Sequence, residues 1–306
     1  MTRVLIADPI APAAQKKIED AGLEVVVRSA DKDGPITQQI KGFDCIVVRS
    51  ATKVTKEVID AADKLKLIVR AGVGLDNVDA EAAKAKGIKV MNTPEAPSIS
   101  VAELVFAMFL GLARSLTQAD SSMKSERWEK KKLTGMELWN KTVGIVGLGR
   151  IGTEVARRAK AFGMNVLVLA HRTDVTMKCS ELGLKKSTLE EILTESDFIT
   201  VHVPLLPETK GMIGAKELAK MKKTAFVVNT SRGGVIDEAA LLKALDEGQI
   251  AGAGLDVFES EPPVDWKLVK HPKVIATPHV ASSTQEAQEK VGDLAAEKVV
   301  GELGKK

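Results

Sequence analysis

Lys141-Thr-Val-Gly-Ile-Val-Gly-Leu-Gly-Arg-Ile-Gly152 is the segment from which the architecture of this chain follows. The apolar run Val143–Val146 predicts a buried strand, and it continues directly into a glycine-rich turn. Beyond the turn, apolar residues recur at the spacing of one helix face, at Val155, Ala156, Ala159 and Phe162. The segment therefore predicts a strand, a glycine turn and a helix in immediate succession.

The three glycines of this turn each have a physical reason. Gly147 permits a tight turn, Gly149 lets the backbone approach a pyrophosphate, and Gly152 lets the helix pack closely on the strand. The free N–H groups at the start of the helix then face the phosphates. A glycine turn can be purely structural, but a strand before it, a helix after it and a second strand at Asn165–Leu169 favour a dinucleotide site.

Composition limits the classes of protein to consider. The chain has 306 residues, of which 44% are hydrophobic, enough for two domains with separate cores. A net charge of +3 argues against a nucleic acid partner. Two distant cysteines, Cys45 and Cys179, argue against a disulfide framework or a metal site and fit a reducing cytoplasm. No signal peptide or membrane span is expected, and the absence of tyrosine excludes tyrosine-based chemistry.

Apolar runs alternate with helical patterns along the first third of the chain. The predicted strands are Val4–Ala7, Leu23–Val27, Cys45–Val48, Leu67–Val69 and Ile88–Met91. Strict alternation with helices predicts a doubly wound parallel sheet. The turn-rich segment 92–97 predicts a hinge, after which Ser98 is expected to cap one long helix, Ile99–Gln118.

A second domain follows the hinge. Besides the glycine motif it contains four further predicted strands, namely Phe198–Val201, Ala225–Val228, Ala253–Leu255 and Val274–Ala276. We expect the final helix, Thr284–Leu303, to pack on the first domain. The predicted α/β domains are therefore residues 1–97 with 281–306 for the substrate, and residues 98–280 for the dinucleotide.

Polar side chains follow these strands where a parallel sheet binds its ligands, at the carboxyl ends. In the first domain they include Arg49, Ser50 and Arg70. In the second they include His202, Asn229, Thr230, Ser231, Arg232, Asp256 and His279. We expect the strand ends of the two domains to face one cleft.

Each of these groups also has a structural alternative. Arg49 and Arg70 could be surface arginines, but each directly ends a buried strand, where its guanidinium must find a partner. Arg232 could cap local carbonyls, although its fork suits a carboxylate with an adjacent carbonyl oxygen. His279 becomes a proton shuttle if a carboxylate pairs with it. Sequence spacing leaves the choice open among Asp256, Glu259 and Glu261.

The order of the motifs resembles the D-isomer-specific 2-hydroxyacid dehydrogenases. The glycine motif is followed by Asn229-Thr-Ser-Arg-Gly-Gly234, Leu255-Asp-Val-Phe-Glu-Ser-Glu-Pro262 and Thr277-Pro-His279. This resemblance implies a Rossmann nucleotide-binding domain inserted in a flavodoxin-like substrate domain. It also implies Arg232 as the substrate-binding arginine, Glu261 as the carboxylate and His279 as the acid/base.

Two further segments are similar to the branch of that family that acts on D-3-phosphoglycerate. They are Val48-Arg-Ser-Ala-Thr-Lys-Val-Thr55 and Arg70-Ala-Gly-Val-Gly-Leu-Asp-Asn77. The implied reaction is hydride exchange between a nicotinamide and D-3-phosphoglycerate or 3-phosphohydroxypyruvate, in serine biosynthesis. The resemblance also implies a homodimer. Long members carry C-terminal regulatory domains, so with a chain that stops at 306 we expect no serine feedback through such a domain.

The predicted contacts extend beyond the three catalytic residues. Substrate contacts are predicted at Arg49, Ser50, Arg70, Ala71, Gly72, Val73 and Asn77, with Lys53 as a further candidate. Cofactor contacts are predicted at Val73, Gly147, Gly149, Arg150, Ile151, Gly152, His171, Arg172, His202, Val203, Pro204, Thr209, Thr230, Ser231, Arg232, Asp256, His279 and Ala281.

The chain departs from the family at the end of the second nucleotide-domain strand. Ala170 stands where NAD-selective members carry an acid, and His171 and Arg172 follow it. A carboxylate there would bond the adenosine ribose and repel a 2′-phosphate, whereas an arginine can pair with that phosphate. The cofactor is therefore NAD or NADP, with the sequence favouring NADP. The alternatives to the implied reaction are an NADPH-dependent glyoxylate or hydroxypyruvate reductase and a non-catalytic nucleotide-sensing protein.

Overall fold

The computed structural model describes residues 1–28, 34–170 and 179–304, and in it the chain divides into two units. Unit 1 combines Met1–Ser98 with Ser282–Lys306, and unit 2 is Ile99–Ala281. Each unit has its own parallel sheet and its own hydrophobic core.

Unit 1 contains a five-stranded sheet in the order β2-β1-β3-β4-β5, with every pairing parallel. Its strands are β1 Arg3–Ile6, β2 Glu24–Val27, β3 Cys45–Val48, β4 Leu67–Arg70 and β5 Lys89–Asn92. The helices between them are α1 Pro12–Asp20, α2 Ile36–Gln39, α3 Lys56–Ala61 and α4 Ala80–Ala85. The central strand β3 is apolar at all four positions because helices cover both faces of a parallel sheet.

Unit 2 contains a seven-stranded parallel sheet in the order β12-β11-β10-β9-β6-β7-β8. Its strands are β6 Thr142–Val146, β7 Asn165–Leu169, β8 Lys185–Lys186, β9 Phe198–Val201, β10 Phe226–Asn229, β11 Gly252–Leu255 and β12 Val274–Ala276. Its helices are α5 Ser98–Ala113, α6 Leu116–Lys124, α7 Arg150–Ala161, α8 Leu189–Glu195, α9 Ala215–Leu218, α10 Glu238–Asp246 and α11 Lys267–Lys270, with a 3₁₀ turn at Lys130–Lys132. The strand order reverses between β6 and β9, which places the glycine turn at a topological switch point.

The last helix, α12 Gln285–Leu303, returns to unit 1 and packs on α1. Gly292 allows the close approach, since a Cβ there would lie 3.2 Å from the Cβ of Ala14. Val291, Ala295 and Val299 contribute to the core of unit 1. The predicted fold class, two doubly wound α/β domains with parallel sheets, is confirmed.

The long helix predicted over Ile99–Gln118 is wrong in its length. The structure has α5 and α6 at 64° to each other, and Ser115 between them has a left-handed φ of 47°. Helix α5 ends because Met136 N–H donates to the Ala113 carbonyl at 2.9 Å, while Gly135 packs against the same oxygen. The predicted cap is also wrong, because Ser98 lies within α5 and its buried hydroxyl has no hydrogen-bond partner among the described residues.

Within the described ranges, no single helix is long and apolar enough to cross a membrane. In the same ranges, only the bent pair of α5 and α6, taken together, meets that test of length and composition.

Candidate active site

The glycine turn after β6 requires glycine at two of its three positions, Gly147 and Gly152. Gly147 has a φ of 100°, and a Cβ on it would lie 2.5 Å from the His202 carbonyl oxygen. A Cβ on Gly152 would lie 2.2 Å from the Gly147 carbonyl oxygen, so only glycine lets α7 pack this closely on the turn. By contrast, a Cβ on Gly149 would meet nothing within 4 Å. Gly149, the residue before α7, thus borders open space at a helix N-terminus, where phosphate groups bind.

Two polar side-chain atoms, at the ends of the successive strands β9 and β10, have no hydrogen-bond partner among the described residues. They are Nδ1 of His202 and Oγ1 of Thr230, both buried. The other ring nitrogen of His202, Nε2, lies 3.0 Å from Thr200 Oγ1. Burial lowers the pKa of His202 to about 3, so the ring is neutral at physiological pH. Buried polar atoms are normally satisfied, so these two atoms and the open turn fit a polar ligand such as a dinucleotide.

The turn after β10 fixes Arg232 through Asn229. The amide Nδ2 of Asn229 donates to the Arg232 carbonyl at 2.8 Å, and its Oδ1 accepts from Ser231 N–H at 2.9 Å. Arg232 Nη1 in turn donates to the Ser231 carbonyl at 2.6 Å. A Cβ on Gly233 would lie 1.9 Å from the Phe258 carbonyl, so this turn packs backbone to backbone on the loop after β11.

A buried carboxylate organises the loop that carries His279. Asp256 is fully buried, and its oxygens accept from Thr277 Oγ1 at 2.5 Å, Val280 N–H at 2.8 Å and Ala281 N–H at 2.9 Å. The Asp256 backbone carbonyl accepts from His279 N–H at 2.8 Å. His279 has a left-handed φ of 53°, which is costly for a non-glycine residue and needs such surrounding bonds.

His279 and Glu261 form a close pair. His279 Nδ1 lies 2.7 Å from Glu261 Oε2, while Glu261 Oε1 accepts from Phe258 N–H at 3.2 Å. A carboxylate can only accept, so Nδ1 carries the proton and Nε2 is left for a substrate. Both side chains are partly exposed, at 44% and 38%. Of the three carboxylates that the sequence offered, the structure pairs Glu261 with the imidazole.

In unit 1, Asp8 organises the loop after β3. Its carboxylate accepts from Arg49 N–H at 2.6 Å, Thr52 N–H at 3.1 Å and Thr52 Oγ1 at 2.6 Å. Asn77 Nδ2 holds the same loop by donating to the carbonyls of Arg49 and Thr52 at 2.7 and 2.6 Å. The guanidinium of Arg49 points to Pro9 O and Gln288 Oε1, both at 3.5 Å.

The guanidinium of Arg70 lies across Gly72. A Cβ on Gly72 would fall 1.4 Å from Arg70 Nη1, so a glycine is required beside this arginine. Arg70 Nη1 also donates to the Ala71 carbonyl at 3.5 Å. Asn92 Nδ2 donates to the Val73 carbonyl at 2.5 Å and fixes the next turn of the loop.

Comparison with known proteins identifies the family of this chain. Residues 106–281 match the family described as D-isomer specific 2-hydroxyacid dehydrogenase, NAD binding domain. A D-3-phosphoglycerate dehydrogenase of Methanocaldococcus jannaschii is 48% identical over 301 residues, covering 98% of this chain and 57% of that protein. The chain belongs to the D-isomer-specific 2-hydroxyacid dehydrogenases. It spans about half the length of the curated relatives that it matches.

Solved structures agree with this assignment. The TT0316 protein from Thermus thermophilus has a TM-score of 0.88 at 34% identity, covering 98% of this chain and 96% of that one. A glyoxylate reductase from Paecilomyes thermophila also has a TM-score of 0.88, at 31% identity, covering 99% of this chain and 96% of that one. As in this family, the matched domain of the chain takes a nicotinamide cofactor.

Thr209 Oγ1 donates to the Pro204 carbonyl at 2.6 Å and accepts from Leu206 N–H at 2.8 Å, which shapes the loop after β9. Val203 lies in the same loop, next to the glycine turn. Arg150 and Ile151 begin α7, and Ser50 is exposed after β3. His171 and Arg172 lie outside the described residues, directly after the buried Ala170.

Two residues that shape the site were missing from the predicted contacts. Asp8 follows β1 and Asn229 is the last residue of β10, and each holds a loop that carries an arginine. Their position at or near the end of a strand was a usable signal. Nothing in the sequence indicated that they would bond the protein backbone and position Arg49 and Arg232.

Proposed function

We propose that this chain exchanges a hydride between a nicotinamide cofactor and D-3-phosphoglycerate or 3-phosphohydroxypyruvate, a step of serine biosynthesis. The observation that carries the proposal is the 2.7 Å contact between His279 Nδ1 and Glu261 Oε2. Such a pair is suited to moving a proton at neutral pH. The choice of substrate is supported by relatives named D-3-phosphoglycerate dehydrogenase at 48% identity over nearly the whole chain.

His279 and Glu261 would handle the proton of the reaction. A nicotinamide cofactor, when bound at the glycine turn, would supply the hydride-transfer chemistry. His279 Nε2 accepts the hydroxyl proton in oxidation and donates it to the carbonyl oxygen in reduction. The imidazolium formed in oxidation is stabilised by the Glu261 carboxylate at Nδ1. The Asp256 carboxylate would keep the His279 loop in place during both steps.

Arginines would hold the anionic groups of the substrate. Arg232 lies in a turn that Asn229 fixes. Its guanidinium group has the geometry to bind a carboxylate and the neighbouring carbonyl oxygen. In unit 1, Arg49 and Arg70 would bind the phosphate or carboxylate. Their loops are fixed by Asp8, Asn77 and the close contact at Gly72.

The dinucleotide would lie along the glycine turn, with its pyrophosphate at the start of α7. His202 Nδ1 and Thr230 Oγ1 would gain their missing partners from it. We propose that NADP(H) is used at least as well as NAD(H), because Ala170 supplies no carboxylate to repel a 2′-phosphate. Ala170 also favours the second candidate, an NADPH-dependent glyoxylate or hydroxypyruvate reductase, to which the likeness to a glyoxylate reductase structure adds support.

A homodimer is proposed through unit 2. Four large apolar side chains of α5 and α6 are exposed, namely Ile99, Leu110, Leu116 and Met123. Exposed apolar groups on adjoining helices favour a subunit interface.

Arg49 and Arg70 provide the test of the substrate. If they hold the phosphate, replacing either by Ala raises the KM for phosphohydroxypyruvate far more than the KM for glyoxylate. Equal losses on both substrates would favour a structural role. A parent chain that binds the dinucleotide but turns over neither substrate would favour the nucleotide-sensing alternative.

A further inference from the structure

Glu238 is the first residue of α10 and reaches the loop that carries Glu261. Its Oε1 accepts from Glu259 N–H at 2.6 Å. The neighbouring N–H of Phe258 is bonded to Glu261 Oε1 at 3.2 Å. Two successive N–H groups of this loop are therefore held by carboxylates, one from the loop itself and one from α10.

The same element also carries Arg232. The turn after β10 leads from Arg232 through Gly233 to Asp237, the cap of α10, whose side chain accepts from Ala240 N–H at 2.9 Å. Gly233 packs directly on the Phe258 carbonyl, so this turn meets the Glu261 loop at two points, the Gly233 backbone and the Glu238 carboxylate. One rigid turn thus spans the distance between Arg232 and the pair of Glu261 and His279.

Glu238 is held there against an electrostatic cost. Burial raises the pKa of Glu238, and the carboxylates of Glu259, Asp237 and Glu261 raise it further, whereas the bond from Glu259 N–H lowers it. Burial and three neighbouring acids disfavour the charged form of this carboxyl group, and the hydrogen bond from Glu259 N–H offsets part of that cost. A cost of this kind is usual for groups that shape a functional site.

We propose that Glu238 is a positioning residue for the reaction, which fixes Glu261, and through it His279, relative to Arg232. The proposal rests on the proposed function, in which Glu261 and His279 move the substrate proton. Glu238 acts through the hydrogen bond that its side-chain oxygen accepts from Glu259 N–H. Its charge is not required.

Two substitutions separate reach from charge. Glu238→Gln keeps an acceptor oxygen at the same distance and removes the charge. Glu238→Asp keeps the charge and shortens the side chain by one methylene, so the oxygen no longer reaches Glu259 N–H. Matched substitutions of Glu247, an exposed residue at the other end of α10, serve as controls.

The measurements are steady-state reduction of phosphohydroxypyruvate and the downfield proton NMR signal of the His279 Nδ1–H bonded to Glu261. For Glu238→Asp we expect kcat to fall by about tenfold or more, KM for the cofactor to stay near that of the parent, and the NMR signal to weaken or exchange faster. Glu238→Gln and both Glu247 variants should stay close to the parent in all three.

Parent-like behaviour of Glu238→Asp, or losses in Glu238→Gln equal to or greater than those in Glu238→Asp, would overturn the proposal. The NMR signal does not depend on turnover. A parent chain that shows no activity would therefore count against the proposed function alone, while the signal in the Asp and Gln variants would still decide the role of Glu238.

Discussion

At the residue scale, the proposed proton transfer depends on how one exposed histidine, His279, is held. His279 has a strained φ, its N–H is bonded to the Asp256 carbonyl, and its Nδ1 is bonded to Glu261. The neighbouring N–H groups of Val280 and Ala281 are bonded to the Asp256 carboxylate. The backbone around His279 is thus held by the buried Asp256, and its imidazole is held by the exposed Glu261.

Replacing His279 by Ala should remove most turnover and leave cofactor binding nearly unchanged, because the imidazole acts on the substrate proton. General acid–base catalysis is worth about 10²–10⁴-fold, and we expect a loss of kcat in that range. The checks are steady-state kinetics and a fluorescence titration with the reduced cofactor. A variant within about threefold of the parent kcat would remove His279 from the acid/base role, provided that chemistry limits turnover.

The buried His202 should make the stability of unit 2 depend on pH. Burial lowers its folded pKa to about 3, below the unfolded value of 6.5. Below pH 6.5 the unfolded chain therefore binds a proton that the folded chain does not, so stability falls as pH drops from 6.5 towards 3. The slope from this residue is at most about 1.4 kcal/mol per pH unit.

The comparison that isolates this effect is urea unfolding of the parent and of His202→Asn between pH 7 and pH 5. The variant should lose less stability than the parent over this interval. Identical slopes for the two proteins would show that His202 is protonated in the folded chain as readily as in the unfolded one.

At the element scale, strand positions followed from the sequence because central parallel strands are continuous apolar runs. The predicted strands and the glycine turn agree with the structure to within a few residues. The edge strand β8 could not be predicted, since its two residues, Lys185 and Lys186, are exposed lysines with no apolar signal. The break between α5 and α6 was also missed, because it depends on a bond from Met136, far along the chain.

The proposed catalytic pair, His279 and Glu261, was likewise only partly predictable from the sequence. His279 and Glu261 were predicted as a pair only through the family resemblance, because Glu259 and Asp256 also lie nearby in sequence. The structure separates the three acids by their partners. The Asp256 carboxylate is buried and bonded to the loop backbone. The backbone N–H of Glu259 donates to Glu238. The Glu261 carboxylate is bonded to the imidazole of His279. Such choices depend on how two loops pack, which spacing does not encode.

The glycine turn allows a prediction that separates folding from cofactor binding. Gly152→Ala places a methyl group 2.2 Å from the Gly147 carbonyl and should destabilise the fold by about 1–3 kcal/mol. Gly149→Ala meets no atom within 4 Å, so its cost to folding should stay below about 1 kcal/mol. The added methyl would instead obstruct a pyrophosphate and raise the Kd of the cofactor by at least about tenfold.

Urea unfolding and cofactor titration of the two variants, run side by side, check this expectation. Unchanged cofactor affinity in Gly149→Ala would show that the backbone at this turn does not approach the phosphates.

At the scale of the whole molecule, the proposed functional residues are distributed over the two α/β units. Unit 2 carries the glycine turn, Arg232 and the pair of His279 and Glu261, whereas unit 1 carries Arg49 and Arg70. Each set follows the carboxyl ends of strands, as open parallel sheets require. At the proposed cofactor site, the buried and uncharged Ala170 directly follows β7.

Ala170→Asp should shift the enzyme towards NAD(H), since a carboxylate there repels a 2′-phosphate. Arg172→Ala should weaken NADP(H) selectively, because a charge-assisted bond contributes about 1.5–3 kcal/mol before solvent screening reduces it. The measurement is the ratio of kcat/KM for the two cofactors. A parent that strongly prefers NAD(H), together with a silent Arg172→Ala, would contradict the proposed cofactor preference.

The most direct test of the proposed function is the kcat/KM of the parent chain for phosphohydroxypyruvate and for glyoxylate, each measured with NADH and with NADPH. If the proposed function is right, kcat/KM for phosphohydroxypyruvate is at least about tenfold higher than kcat/KM for glyoxylate. A charged hydrogen bond from Arg49 or Arg70 to the phosphate contributes that much. Equal or better turnover of glyoxylate, or no turnover of either substrate, would contradict it.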